Sequence, residues 1–245
     1  MPGCSAVDQL QSQKGASLAI CRYTRITVLP FIVLTAVAVV ALLVAEVKAL
    51  TSLRWLAKPV ASMGFVATAV AGGAGDSLYG RWVLSALMLG LVGDVLMIPR
   101  SRNSFLAGLV AFLFAHLAIT LAFALFGIAG TRFGLAAVVM LAASALADRW
   151  LSPHLEGATL AAVRAYIIGI SVMVATAAGS RHGHHWLTLT GAALFYISDL
   201  AVAREQFVAK SPLNRMWGLP VYYAGQLLIA IGASTPDAYA LLFGL

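Results

Sequence analysis

Eight apolar stretches follow one another along this chain, at 26–45, 59–75, 82–98, 105–128, 133–147, 163–178, 186–203 and 220–234, separated only by short polar connections. About 20 apolar residues are enough to cross the hydrocarbon of a bilayer as a helix. Lipid offers no partner for a free backbone N–H or C=O, so a chain built of such stretches must fold as helices that satisfy themselves. Composition agrees: 61% of the 245 residues are hydrophobic and only 10% are charged, where a soluble domain carries about 25%. The expected fold is all-α, a polytopic membrane bundle of about eight transmembrane helices. Residues 26–245 form one domain behind a polar tail, 1–25, which lacks the apolar core of a signal peptide. No connection is long enough to divide the chain further.

The punctuation supports these boundaries. Lys58–Pro59 reads as a helix start, Pro99–Arg100 as a stop, and the glycine-rich run at 72–76 as a turn. Small residues at Gly90, Gly93, Gly191, Ala192, Ala224 and Gly225 suit helices that approach closely in lipid. Cys4 and Cys21 lie in the polar tail and form no metal or disulfide framework.

The net charge of +7 is scattered among short loops, which argues against a nucleic-acid partner and for membrane topology. Connections 1–2, 3–4, 5–6 and 7–8 hold ten of the 16 Lys and Arg, the remaining connections three, and the tail the other three. The positive-inside rule puts the ten-charge face in the cytoplasm with both termini outside, against the bias of the basic tail.

Asp94 and Asp199 stand out within this apolar background, each a few residues before its span ends. A carboxylate there costs about 2.5–3.5 kcal/mol on insertion scales, so functional use is the default reading. Alternating helices bring both acids to the ten-charge side, roughly 7 Å below the boundary at 1.5 Å per residue. His116 enters from the same face, roughly 16 Å deep by the same rise. Tyr222, Tyr223 and Gln226 enter on the last span, Tyr222 and Gln226 sharing a helix face four residues apart. Lys58 and Glu46 complete the ring. Plainer roles exist for the companions: packing for His116, interface aromatics for the tyrosines, an inter-helix hydrogen bond for Gln226, solvated helix ends for Lys58 and Glu46. The trio His182, His184 and His185 has no carboxylate or cysteine beside it and reads as a wet turn. No nucleophile elbow, zinc-protease, Walker or dinucleotide motif is present.

Two acids in one low-dielectric pocket cannot both ionise cheaply, so one keeps a proton while the other does not. That makes a general acid beside a general base, suited to acetal-like and glycosidic bonds. Protonation-linked cation transport is the alternative use of the same pair. A metal-dependent membrane amidase is a third, although such sites use several histidines plus an acid.

Four motifs bear on that choice. GDVLMIP at 93–99, FLAGLVAFLFAHLA at 105–118, GAALFYISDLAVA at 191–203 and YYAGQLLIA at 222–230 resemble the YhhN-like family, also called the transmembrane-protein-86 family. Lys58–Pro59 fits as well, and the resemblance runs from about the second span to the eighth. It implies a lysoplasmalogenase, which hydrolyses the vinyl ether bond of a lysophospholipid drawn from the bilayer. The products would be a fatty aldehyde and glycerophosphocholine or glycerophosphoethanolamine. It implies Asp94 and Asp199 as catalytic acids, one donating a proton and the other stabilising the cation and activating water. Lys58, His116, Tyr222, Tyr223 and Gln226 fall on substrate-binding positions, with no metal and no organic cofactor. The family often has a tyrosine two to four residues after that histidine; this chain has Ala118, Ile119 and Thr120.

Overall fold

The computed structural model describes residues 28–182 and 185–234. The polar tail with its two cysteines, and His184, lie outside the described residues. Within them the chain is a helical bundle: α1 Val28–Val47, α2 Thr51–Ala71, α3 Leu78–Leu96, α4 Arg102–Leu125, α5 Gly130–Leu151, α6 Gly157–Gly179, α7 His185–Ala203 and α8 Pro212–Gly232. The β pairing among the described residues is one isolated bridge, Ile128 to Ser180. Six helices are long and apolar enough to cross a membrane. The other two, α2 and α8, carry Arg54, Lys58, Asn214 and Arg215 in their first two or three turns.

Those two helices also depart from the expected boundaries. Pro59, expected to start a helix, and Pro220, the first residue of the last apolar stretch, both lie inside their helices, which begin eight residues earlier at Thr51 and Pro212. A proline inside a helix costs one hydrogen bond to the residue four before it, and neighbouring helices in a membrane bundle tolerate this. The true starts carry ordinary signals. Ser211 accepts from Leu213 N at 3.3 Å with Pro212 in the first turn of α8. Ser77 and Ser101 cap α3 and α4 in the same way, at 2.9 and 3.1 Å.

Packing closes a ring. α2 lies against α3, α3 against α4, α4 against α6, α6 against α7, α7 against α8, and α8 back against α2, while α5 sits outside against α6. Leu135, Val138, Val139, Leu141 and Leu146 on α5 are exposed, as a lipid-facing helix requires. Close approach comes from glycine at the crossings. A Cβ on Gly191 would stand 2.8 Å from Gly225 O, and one on Gly225 2.9 Å from Gly191 O, so α7 and α8 touch backbone to backbone. Ala224 faces outward instead and takes no part. α1 leans on α2, where a Cβ on Gly64 would meet Thr35 Oγ1 at 2.1 Å.

The ends of the bundle alternate as charge patterning predicts. At one end Glu46 joins Arg54, Arg100 and Arg215, Arg102 reaches Thr159, and Arg164 pairs with Asp148. At the other, the α4–α5 and α6–α7 connections meet through Ala129 N to Gly179 O at 2.7 Å. The charged end thus gathers the starts of α2, α4, α6 and α8 with the ends of α1, α3, α5 and α7.

Candidate active site

A cavity of about 400 Å³ lies inside the ring near its charged end. Asp94 of α3 and Asp199 of α7 both line it, with Lys58 from α2, Phe112 from α4, Tyr166 from α6 and Tyr222 from α8. Each helix of the ring contributes one of these side chains. The two acids therefore share a cavity and a half of the bundle, as their spacing predicts.

Their surroundings differ sharply. Asp94 is 2% exposed. Its Oδ1 lies 3.2 Å from Lys58 Nζ, and its Oδ2 accepts from Ser62 Oγ at 2.6 Å and Tyr222 OH at 2.8 Å. Gln226 Nε2 donates to Tyr222 OH at 3.0 Å, and Tyr223 OH donates to Lys58 O at 3.3 Å. Residues four apart on α2 (Lys58, Ser62) and on α8 (Tyr222, Gln226) share a face, which lets two helices surround one carboxylate. Asp199 is half-buried and, among the described residues, accepts a single hydrogen bond, from Tyr166 OH at 2.7 Å. Among the described residues no cation pairs with Asp199, and no hydrogen bond joins the two carboxylates. One acid has a counter-ion and two hydroxyl donors; the other has a phenol.

Glycine shapes the wall beside Asp94. A Cβ on Gly93 would stand 2.7 Å from the Phe112 ring, and one on Gly90 2.9 Å from Gln226 Nε2. These two positions let α4 and α8 close down on the acid. Phe112, Phe195 and Tyr222 pack edge to face at 5.2–5.9 Å and form an apolar floor.

The other predicted residues divide into two groups. Lys58 and Tyr222 line the cavity, whereas His116, Tyr223 and Gln226 stand behind its wall. His116 is fully buried, packs edge-on against Tyr166 at 5.0 Å and Phe195 at 4.7 Å, and neither ring nitrogen has a hydrogen-bond partner among the described residues. The tyrosine expected shortly after His116 in sequence is absent, but Tyr166 reaches that histidine from α6. Lys58 and Glu46 are not solvated helix ends. Their side chains are 12% and 9% exposed, and each is ion-paired. Both lie near helix ends in sequence, but α2 and α8 extend beyond them and cover them.

His182 stacks on Tyr79 at 4.3 Å and His185 meets Arg132 at 2.8 Å. Among the described residues no three His, Cys, Asp or Glu side chains gather as a metal ion would need.

Residues 53–233 match the model of the YhhN family, a range that holds every cavity residue just described except Glu46. The chain belongs to the YhhN family. Its similarity to curated proteins points the same way. It is 32% identical over 163 residues to lysoplasmalogenase TMEM86A of Bos taurus, covering 62% of this chain and 64% of that one. With a lysoplasmalogenase of Mycobacterium bovis it shares 37% over 160 residues, covering 62% and 60%. With lysoplasmalogenase TMEM86B of Sus scrofa it shares 31% over 176 residues, covering 72% of each. The matched segment thus spans 60–64% of the length of the first two relatives. No solved structure matches this YhhN-family chain.

Four contributors are not apparent from the sequence. Ser62 had a signal, being one helical turn from Lys58. Arg54 and Arg215 looked like loop charges because α2 and α8 were started too late. Tyr166 had none, since nothing in an apolar helix marks one tyrosine as facing an acid on another.

Proposed function

We propose that this protein is a membrane lysoplasmalogenase, hydrolysing the vinyl ether bond of a single-chain alkenyl glycerophospholipid to a fatty aldehyde and a glycerophosphodiester. The observation that carries this reading is the unequal pair of carboxylates in one apolar-floored cavity. Asp94 has a lysine counter-ion; among the described residues Asp199 has a neutral phenol and no cation. The names of the relatives supply the substrate class.

The reaction needs one acid and one water. In the proposal Asp199 carries the proton and gives it to the β-carbon of the vinyl ether, which leaves an oxocarbenium ion and an Asp199 carboxylate. Asp94, fixed by Lys58, Ser62 and Tyr222, is a preorganised negative group facing that cation. Water adds to the α-carbon and surrenders a proton to Asp199, so the acid is restored and a hemiacetal remains. The hemiacetal hydroxyl proton then passes to the glycerol oxygen as the C–O bond breaks, releasing aldehyde and alcohol. A single carboxyl thus acts as acid and then base, as in retaining glycosidases. The charged end of the cavity is proposed to face the cytoplasm, following the positive-inside rule.

The test uses purified, detergent-solubilised protein and three lysophospholipids of equal chain length, with alkenyl, alkyl and acyl links. Aldehyde trapped from the alkenyl lipid alone, with one deuterium at the carbon beside the carbonyl when the reaction runs in D₂O, is the expected result. No aldehyde from any of them removes the proposal in favour of a proton- or cation-binding transport role.

A further inference from the structure

Above the acids, at the charged rim, three guanidinium groups converge on one carboxylate. Arg54 Nε lies 2.8 Å from Glu46 Oε1, while Arg100 and Arg215 reach Glu46 Oε2 at 2.5 and 2.8 Å. Arg215 also bonds Glu205 Oε1 at 2.6 Å. All five side chains line the cavity, and Lys210 joins them. Four cations therefore face two carboxylates. Each guanidinium has five N–H donors and a carboxylate accepts about four, so the three arginines hold more donors than both glutamates can take.

Two further observations mark the cluster as more than a staple between helix ends. Arg100 sits at φ +60°, a left-handed conformation that L residues rarely adopt. Partial burial, with Arg215 and Arg54 close by, lowers its pKa despite Glu46. Surplus positive charge is thus held together at a strained position on the lip of a cavity, where an arriving anion would relieve the repulsion. Spacing supplies the second argument. Arg54 is one helical turn before Lys58, a rise of about 6 Å. Six bonds separate the vinyl ether α-carbon from phosphorus in such a lipid. An extended chain spans about 3.8 Å per three bonds, so the two lie about 7.5 Å apart.

We infer that Arg54, Arg100 and Arg215, organised by Glu46, form a phosphodiester-binding subsite at the cavity mouth. It holds the headgroup phosphate one helical turn above Lys58 and Asp94 and selects phosphate-bearing ether lipids over alkylglycerols. The subsite rests on the proposed activity for where the scissile bond lies. The phosphodiester can arrive on a lipid or leave on the water-soluble product, and both present the same chemistry.

The test therefore measures binding without bond cleavage. Full-length protein in micelles of fixed composition is titrated with 1-O-hexadecyl-glycerophosphocholine, a saturated ether that cannot be hydrolysed by this route. 1-O-hexadecylglycerol, with the same tail and no phosphate, is titrated in parallel. Wild type is expected to prefer the phospholipid by at least tenfold. Arg100→Gln, at a half-exposed loop position, should cut that preference about tenfold, the effect of one lost charge-assisted hydrogen bond. Arg54→Lys keeps the charge and should retain part of it. Competition by glycerophosphocholine would assign the site to the phosphodiester itself, and lack of competition to the tail-anchored lipid; either supports the subsite if the preference is lost in Arg100→Gln. An unchanged preference in Arg100→Gln, or an equal fall for both ligands, overturns it. Failure of aldehyde release with the preference intact would count against the proposed activity alone.

Discussion

Replacing Lys58 by Met strips Asp94 of its counter-ion while keeping an unbranched side chain of similar length. Lys58 Nζ and Asp94 Oδ1 are 3.2 Å apart, with side chains 12% and 4% exposed. At an effective dielectric constant of about 20, unit charges at that separation attract by about 5 kcal/mol. The measurable cost is smaller than a full charge burial because Ser62 and Tyr222 still donate to Asp94. Removing one member of a buried pair costs about 3–5 kcal/mol, mostly from leaving the other unpaired. Asp94→Asn leaves Lys58 in the same position. The double variant Lys58→Met with Asp94→Asn leaves neither charge, so its loss should fall short of the summed single losses by about 2–3 kcal/mol. Reversible unfolding in mixed micelles, followed by helical circular dichroism, measures all four corners of the cycle. Additivity within about 0.5 kcal/mol would refute the pairing and with it the reason for treating Asp94 as the charged partner.

Other consequences follow from individual contacts. Tyr166→Phe removes the 2.7 Å hydrogen bond to Asp199 and should lower kcat about tenfold while KM stays within about twofold, since the ring and its packing remain. Gly191→Val would push side-chain atoms toward Gly225 O and Ile229 Cγ1, each 2.8 Å from the new Cβ. Overpacking of this kind costs about 1–3 kcal/mol and should appear as a lower unfolding midpoint without a change in substrate preference. Dialysis against EDTA should leave aldehyde release unchanged, because the proposed proton transfers need only the two carboxylates and water; loss of activity restored by zinc would favour an amidase-like metal site.

Much of this architecture was legible before any coordinates. Hydropathy placed all eight helices, because lipid forces every backbone group to be satisfied within its own segment. Alternation then put Asp94, Asp199, Lys58 and Tyr222 at one end of the bundle, and the structure brings those four to one cavity. What failed was local. Pro59 and Pro220 carry a helix-start signal that holds in water, but inside a bundle they are absorbed by helices that started two turns earlier. That error turned Arg54 and Arg215 into loop residues and Glu46 into a solvated end, hiding the charged rim. Tyr166 was invisible for a different reason. Which face of α6 meets α7 is decided by tertiary packing, and an all-apolar helix has no polar stripe to reveal it. His116 was expected in the ring of polar groups, but depth does not fix direction, and its ring lies behind Tyr166 and Phe195.

Single replacement of each aspartate by asparagine, assayed for aldehyde release from an alkenyl lysophospholipid by folded, purified protein, bears most directly on the whole account. Asn keeps the shape of the side chain but cannot give up or accept the catalytic proton. Asp199→Asn should abolish turnover, and Asp94→Asn should reduce it by at least a hundredfold, with both variants still binding the saturated ether lipid. Near wild-type release by Asp199→Asn would contradict the claim that the carboxylates of α3 and α7 perform this chemistry together.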